Sequence, residues 1–265
     1  MEHILSIDGQ PARYLEAGAG WPVVLIHAFP LSGDMWRPQL EAVPKGYRFI
    51  APDLPGFRGP DAPLYRGPLP KTMDDYARHV ARVLDALEID RAIVGGLSMG
   101  GYVAFALFRL APDRFSGLVL ADTRAGADSD DGKAGRDRLA QLALDRGATA
   151  VADDMLPKLL ATEDATVASD VRRLIEANPS PGLAAALGAM KGRPDSTAQL
   201  ARMSFPALVI AGEHDTITPV AEAERMQALL PRSMLSIVPR AGHLSNLENP
   251  ADFSEALASF LTANL

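Results

Sequence analysis

The chain has 265 residues, of which 48% are apolar and 22% charged, and it contains no cysteine. This composition is ordinary for a globular protein and excludes collagen-like, disordered and disulfide-stapled classes, thiolate metal sites and a cysteine nucleophile. The net charge of −7 argues against a nucleic-acid surface, which needs clustered positive charge.

Short apolar segments alternate with longer helical patterns, which is typical of a mostly parallel sheet covered by helices. Residues 2–7 and 11–16 predict a β-hairpin, with Asp8-Gly9 as its turn. Six further strands are predicted at residues 23–27, 47–52, 91–95, 118–121, 207–211 and 235–238. Helices are predicted near residues 34–43, 72–88, 99–110, 219–230 and 250–263.

Residues 123–203 interrupt this alternation, because they contain no convincing strand while Ala, Leu, Arg and Asp recur at helical spacing. We interpret the segment as a helical cap inserted between the sixth and seventh strands of the core. The predicted core then consists of residues 1–122 and 204–265. A separate small domain is the alternative, although no obvious linker sets the segment apart.

Ser98 lies in Gly96-Leu97-Ser98-Met99-Gly100, between a predicted strand and a predicted helix. A turn this tight strains the backbone of its central residue and projects the side chain, and the flanking glycines avoid clashes with the strand and the helix. The helix N-terminus also directs backbone N–H groups at whatever the serine attacks. We therefore predict a nucleophile at Ser98; its alternative role is a helix cap.

A serine hydroxyl needs a base to take its proton. Of the five histidines, His243 follows the last predicted strand, so it lies at the same carboxyl edge of the sheet as Ser98. We predict His243 as the base. His27 ends a buried strand and is expected to hold the next turn by hydrogen bonding, whereas His3 and His79 are expected to be surface or packing residues.

The acid that orients the base must lie at this edge as well. Asp215 follows a predicted strand and is our choice. Glu213 and His214 are in the same loop, but Glu213 is closer to the strand end and His214 carries no permanent negative charge. Asp122 emerges at the same edge and is a second candidate, and either aspartate could instead cap a loop or a helix.

Acyl transfer also needs hydrogen-bond donors for the oxyanion. One predicted donor is the backbone N–H of Met99, directly after the serine. The second is the N–H of Phe29 in the turn His27-Ala28-Phe29-Pro30, since Pro30 has no N–H to offer.

The chain order Ser98, Asp215, His243, with the turn at residues 27–30 and Pro52-Asp53-Leu54-Pro55-Gly56, resembles the α/β-hydrolase fold superfamily. Within it the chain is similar to the small carboxylesterase, enol-lactonase and cofactor-free perhydrolase group. The resemblance covers nearly the whole chain. It implies an α/β fold with a mostly parallel, eight-stranded sheet flanked by helices, in which the helical insertion is the lid.

Two segments depart from that family's pattern. Ala28 stands where the oxyanion turn usually has glycine, and Phe57-Arg58-Gly59-Pro60 replaces the common Gly-x-Ser. A serine at position 98 also argues against the dehalogenase and epoxide-hydrolase branches, which attack with a carboxylate.

The resemblance implies hydrolysis of carboxylic esters or lactones through an acyl-enzyme. The sequence indicates no metal or organic cofactor. Apolar side chains that could wall a pocket for small, largely apolar substrates, or could simply be packing, are Phe29, Trp36, Phe57, Met155, Leu156, Leu159 and Leu160.

Two other activities are open to the same three residues: perhydrolysis and the hydrolysis of carbon–carbon bonds. A small-molecule receptor without turnover is a third reading. The chain has no apolar run of the roughly 18 residues that span a bilayer, and Met1-Glu2-His3 lacks the basic start of a signal peptide. We therefore expect a soluble, cytoplasmic protein without nucleic-acid or membrane partners; the sequence does not indicate its oligomeric state.

Overall fold

The computed structural model describes residues 1–161 and 164–264. Its centre is an eight-stranded sheet in the order β1-β2-β4-β3-β5-β6-β7-β8. The strands are β1 (Glu2–Ile7), β2 (Gln10–Gly18), β3 (Gly20–Ile26), β4 (Gly46–Pro52), β5 (Ala92–Leu97), β6 (Phe115–Ala121), β7 (Ala207–Gly212) and β8 (Ser233–Val238). In the described residues, β2 pairs antiparallel with β1 and with β4, and the other neighbouring strands pair parallel. The predicted fold class is confirmed.

Ten α-helices surround or extend this sheet in the described residues. They are α1 (Arg37–Glu41), α2 (Met73–Ala86), α3 (Met99–Leu110), α4 (Asp130–Leu159), α5 (Ala165–Glu176), α6 (Ser180–Lys191), α7 (Thr197–Leu200), α8 (Val220–Leu229), α9 (Ser245–Glu248) and α10 (Pro250–Asn264). The segment predicted as one helix over 34–43 is instead a 3₁₀ helix, Gly33–Trp36, followed by the short α1. None of these helices has the length and apolar character needed to cross a bilayer.

The parallel strands β3, β5, β6 and β7 form the buried centre of the sheet. Their side chains are apolar on both faces because helices cover both sides, as in other parallel sheets. All of these strands run in the same direction, so the loops that follow them meet at one edge. The loops after β3, β5, β6, β7 and β8 therefore carry the residues from which a site can be built.

Helices α4 to α7 lie between β6 and β7. The long α4 is broken at Gly147, whose φ of 81° is non-helical, so it consists of two segments that change direction. We propose that residues 123–203 act as a cap on a core formed by residues 1–122 and 204–265.

The cap contacts the core backbone at α6. A Cβ atom built on Gly182 would lie 1.9 Å from the carbonyl oxygen of Gly56. Only a residue without a side chain allows so close an approach. Next to this contact, the buried Asn178 donates hydrogen bonds from its side-chain nitrogen to the carbonyls of Pro30 (2.8 Å) and Leu174 (2.9 Å). Its side-chain oxygen accepts a hydrogen bond from the N–H of Arg58.

Candidate active site

Ser98 occupies the tight turn between β5 and α3 with φ 52° and ψ −111°. A Cβ on Gly96 would lie 2.2 Å from the carbonyl carbon of Gly100, and one on Gly100 would lie 2.2 Å from the carbonyl oxygen of Ile26. The glycines of the motif are therefore needed so that helix and strands can approach closely. The Ser98 side chain makes no capping hydrogen bond to α3, which leaves its hydroxyl to the neighbouring loop.

The structure brings Ser98, His243 and Asp215 together from the loops after β5, β8 and β7. The Ser98 Oγ lies 2.8 Å from His243 Nε2, and His243 Nδ1 lies 2.8 Å from Asp215 Oδ2. The backbone N–H groups of His243 and Leu244 both donate to the carbonyl of Leu159, at 3.1 and 3.2 Å. The end of α4 thus holds the loop that carries the imidazole.

Both carboxylate oxygens of Asp215 accept hydrogen bonds. Oδ1 accepts from the N–H groups of Ile217 (2.8 Å) and Thr218 (3.0 Å), and Oδ2 accepts from the Thr218 hydroxyl at 2.6 Å. Burial raises the pKa of Asp215, but the hydrogen bonds and charge of His243, with Thr218, outweigh it and bring the pKa below its ordinary value. Asp215 can therefore remain ionised beside the imidazole.

Thr218 was not predicted from the sequence. Its hydroxyl also lies 3.3 Å from His243 Nδ1, so it fixes the carboxylate against the imidazole. The signal in the sequence is the Asp-x-x-Thr spacing just before the first turn of α8, where an aspartate accepts hydrogen bonds from backbone N–H groups two and three residues ahead.

Asp122, the second candidate for the acid, is fully buried at the end of β6 but binds other groups. Its Oδ1 accepts from the N–H of Gly212 at 2.7 Å, and its Oδ2 accepts from the hydroxyl of Ser245 at 2.5 Å. Burial, reinforced by the charge of Asp215, raises the pKa of Asp122 well above its ordinary value. Asp122 thus connects the ends of β6 and β7 to the start of α9. The carboxylate that contacts the His243 imidazole is that of Asp215.

Glu213 and His214, the other candidates in the loop of Asp215, do not contact His243 in this way. Glu213 accepts a hydrogen bond from the N–H of Arg240 at 2.9 Å, and the His214 side chain is more than half exposed.

The two predicted oxyanion donors are Phe29, in the turn after β3, and Met99, at the start of α3. Within the described residues, the backbone N–H groups of Phe29 and Met99 have no hydrogen-bond partner, so both are available to a ligand. His27 holds this turn in place as expected, because its Nε2 accepts from the N–H of Leu54 at 3.1 Å and its Nδ1 lies 2.9 Å from the carbonyl of Ala28. The neutral imidazole with its proton on Nδ1 satisfies both contacts.

The stability of the protein should depend on pH through His27. Burial lowers the pKa of His27 to about 4, from an ordinary value of 6.5. Between those values the unfolded chain binds a proton that the folded chain does not, so stability is lost as the pH falls. We expect His27 to cost on the order of 2 kcal/mol of unfolding free energy between pH 7 and pH 5.

Urea unfolding of the protein and of His27→Gln at the two pH values measures this contribution. Burial also lowers the pKa of His79 to about 4, so the variant should retain part of the pH dependence. Equal pH dependence in both proteins would contradict the assignment.

The predicted pocket residues take up different positions. Phe57 is buried with its ring 4.9 Å from that of His27 and 6.3 Å from that of Phe29. Trp36 is packed against Phe253 of α10, with 5.9 Å between ring centroids, and we therefore assign it to the core. The cap residues lie on the second segment of α4 or directly after it: Met155, Leu156 and Leu160 are half-buried, and Leu159 is fully buried.

In the described part of the chain, no three His, Asp or Glu side chains group as metal ligands. The groups available for reaction at this edge are the Ser98 hydroxyl, the His243 imidazole with the Asp215 carboxylate behind it, and the N–H groups of Phe29 and Met99. Such a set can transfer a proton from the hydroxyl to the imidazole and can bind a developing negative charge.

Comparisons with known proteins agree with this fold. Residues 22–250 match the family model of the alpha/beta hydrolase fold. A thermophilic esterase from Thermogutta terrifontis, solved with malate bound, superimposes with a TM-score of 0.91 at 36% identity, covering 99% of this chain and 98% of the esterase.

Two relatives are similar over nearly their whole length. The 3-oxoadipate enol-lactonase 1 of Acinetobacter baylyi is 28% identical, covering 98% of this chain and 97% of the relative. The 2-hydroxy-6-oxo-6-(2'-aminophenyl)hexa-2,4-dienoic acid hydrolase of Metapseudomonas resinovorans is also 28% identical, covering 99% of this chain and 91% of the relative.

Proposed function

Since the chain belongs to the α/β-hydrolase fold family, we propose that it hydrolyses carboxylic esters or lactones through an acyl-enzyme on Ser98. The observation that carries this proposal is the continuous hydrogen-bonded series from Asp215 through His243 to the Ser98 hydroxyl, with 2.8 Å at each step. This is the arrangement that turns a weak hydroxyl into a nucleophile.

In the first step, the Ser98 oxygen attacks the carbonyl carbon while His243 Nε2 accepts its proton. The negative charge that develops on the carbonyl oxygen is bound by the N–H groups of Phe29 and Met99. The imidazolium is stabilised by ionised Asp215, then donates its proton to the leaving alkoxide. The carbon–oxygen bond of the ester or lactone breaks, and the acyl group remains on Ser98.

In the second step, water replaces the alcohol. His243 takes a proton from the water, the resulting hydroxide attacks the acyl carbon, and Ser98 recovers its proton from the imidazolium as the acid is released. The same two N–H donors serve both steps, since the oxyanion forms at the same position.

The relatives support a small ester or lactone as substrate. The structure with 36% identity is that of an esterase, and the 28% identical Acinetobacter baylyi protein is named for an enol-lactone. The adjoining aromatic rings of Phe29, which carries one proposed oxyanion donor, and Phe57 favour a small apolar group next to the carbonyl.

Carbon–carbon bond hydrolysis by the same residues is the second candidate. Its support is the 28% identity to the Metapseudomonas resinovorans hydrolase, whose named substrate contains no ester bond.

Labelling with a fluorophosphonate tests the proposal directly. The reagent should form one covalent adduct on Ser98, located by peptide mass spectrometry, because it requires the nucleophile, its base and the oxyanion donors together. His243→Ala should prevent labelling. If the folded protein reacts at another residue or not at all, the proposal fails. Parallel assays with p-nitrophenyl esters and with a vinylogous diketone distinguish ester hydrolysis from carbon–carbon bond hydrolysis.

A further inference from the structure

A groove of about 690 Å³ is lined by residues of the loops after β6 and β7 and of both segments of α4. Its charged lining consists of four cationic and two acidic side chains: Arg124, Arg136, Arg138, Lys158, Asp128 and Asp154. We call this the cationic groove. The four cationic and two acidic side chains give this lining a net charge of +2, whereas the whole chain carries −7.

The groove borders the proposed catalytic residues on one side through Ile217. The N–H of Ile217 donates to Asp215, and its carbonyl accepts a hydrogen bond of 3.4 Å from Arg124. Thr123, the residue before Arg124, donates its hydroxyl to the carbonyl of Ser98 at 2.8 Å. Thr123 thus links Arg124 to Ser98, and Ile217 links Arg124 to Asp215.

The second segment of α4 forms the other border. Met155 lines the groove, and Leu159 accepts the hydrogen bonds from the loop of His243. Residues four apart lie on the same face of a helix, about one turn from each other. Met155 therefore lies about one helical turn from the residue that holds the His243 loop.

The two acidic side chains of the groove are already paired. Asp128 binds Arg136 at 3.2 Å and the buried Arg193 at 2.8 Å, and Asp154 binds Lys158 at 2.6 Å. Neither Arg124 nor Arg138 forms a salt bridge within the described residues. The Arg124 side chain is hydrogen-bonded to Tyr102, and the charges of Asp128 and Glu222 act on it from a longer distance. The buried Nε of Arg124 has no hydrogen-bond partner in the described part of the chain, although such donors are normally satisfied.

We propose that the cationic groove binds a carboxylate of the substrate, with Arg124 and Arg138 as its partners. Arginine matches a carboxylate with two parallel hydrogen bonds and stays charged at every relevant pH. The inference rests on the proposed ester or lactone hydrolysis and specifies its substrate class. The substrate is a small ester or lactone that also carries a free carboxylate, separated from the reacting carbonyl by a short apolar segment.

Monomethyl and dimethyl glutarate make a matched pair of substrates, because they differ only in the free carboxylate. We expect a higher kcat/KM for the monomethyl ester. The ratio of the two values should fall about threefold in Arg138→Gln and on the order of tenfold in Arg124→Gln, since Arg138 is exposed and Arg124 is half-buried. Arg146→Gln, an exposed arginine of α4 outside the groove, should leave the ratio unchanged.

A binding measurement separates this inference from the proposed function. Calorimetric titration of Ser98→Ala with monomethyl glutarate needs no turnover, and adding Arg138→Gln should weaken the binding about threefold. Equal affinities, or equal ester ratios in the protein and its groove variants, would overturn the carboxylate site even if both esters are hydrolysed. Loss of hydrolysis and of fluorophosphonate labelling, with groove-dependent binding retained, would instead overturn the proposed function alone.

Discussion

Replacing Ser98 by alanine is expected to lower kcat by on the order of 10⁴-fold or more while leaving the fold intact. The substitution removes the hydroxyl oxygen that lies 2.8 Å from His243 Nε2 at the proposed point of attack. The fold should persist because the side chain makes no capping bond to α3 and because alanine adds no atom to the turn. Steady-state hydrolysis of p-nitrophenyl acetate and thermal unfolding measure the two expectations.

Ser259→Ala is the matched control, since Ser259 is an exposed serine on α10. It should retain full activity. An unaffected kcat in Ser98→Ala would remove Ser98 from the mechanism, and a large drop in melting temperature would mean that the lost activity reports unfolding.

Replacing Asp215 by asparagine is expected to lower kcat by on the order of 10³–10⁴-fold. The amide keeps the size of the carboxylate but has no charge with which to stabilise the imidazolium, and it no longer selects the tautomer that accepts the Ser98 proton. Because these effects arise in the transition state, KM should change far less than kcat. Initial rates over a range of ester concentrations separate the two parameters.

Asp122→Asn is the control at the same edge of the sheet. Burial and the charge of Asp215 raise the pKa of Asp122 well above its ordinary value, so its negative charge is disfavoured there and the neutral amide does not remove a favourable charge. The amide oxygen can still accept from the N–H of Gly212 or the hydroxyl of Ser245. We expect a mild effect on kcat. A severe loss in Asp122→Asn together with a mild one in Asp215→Asn would reverse the assignment of the acid.

The position of the candidate site at the carboxyl edge of the sheet could be predicted, because it follows from the order of strands along the chain. Parallel strands place their carboxyl ends together, so residues that follow β5, β7 and β8 must converge wherever they lie in the sequence. The predicted hairpin and the boundaries of α3 are likewise local properties, set by a turn dipeptide and by a serine at a strand end.

Contacts between distant elements could not be predicted in this way. Trp36 is apolar and near the oxyanion turn in the chain, yet it packs on Phe253, which is more than 200 residues away. Asn178 lies within the predicted helical cap, yet its side chain bonds to Pro30 across 148 residues. Periodicity shows which face of a helix is apolar but not which element covers it. Thr218 was missed for the same reason, since its role depends on where the His243 loop arrives.

The contact between the start of α6 and the core limits which segments can be exchanged when caps are swapped between related hydrolases. Gly182 touches Gly56 backbone to backbone, and Asn178 bonds to Pro30, the residue after Phe29. A transplanted cap that lacked this glycine and asparagine would remove one hydrogen bond to the Phe29 turn, which would then depend on His27 alone among the side chains described above. Chimeras should therefore retain residues 178–182 of the recipient and take foreign sequence only from α4 and α5.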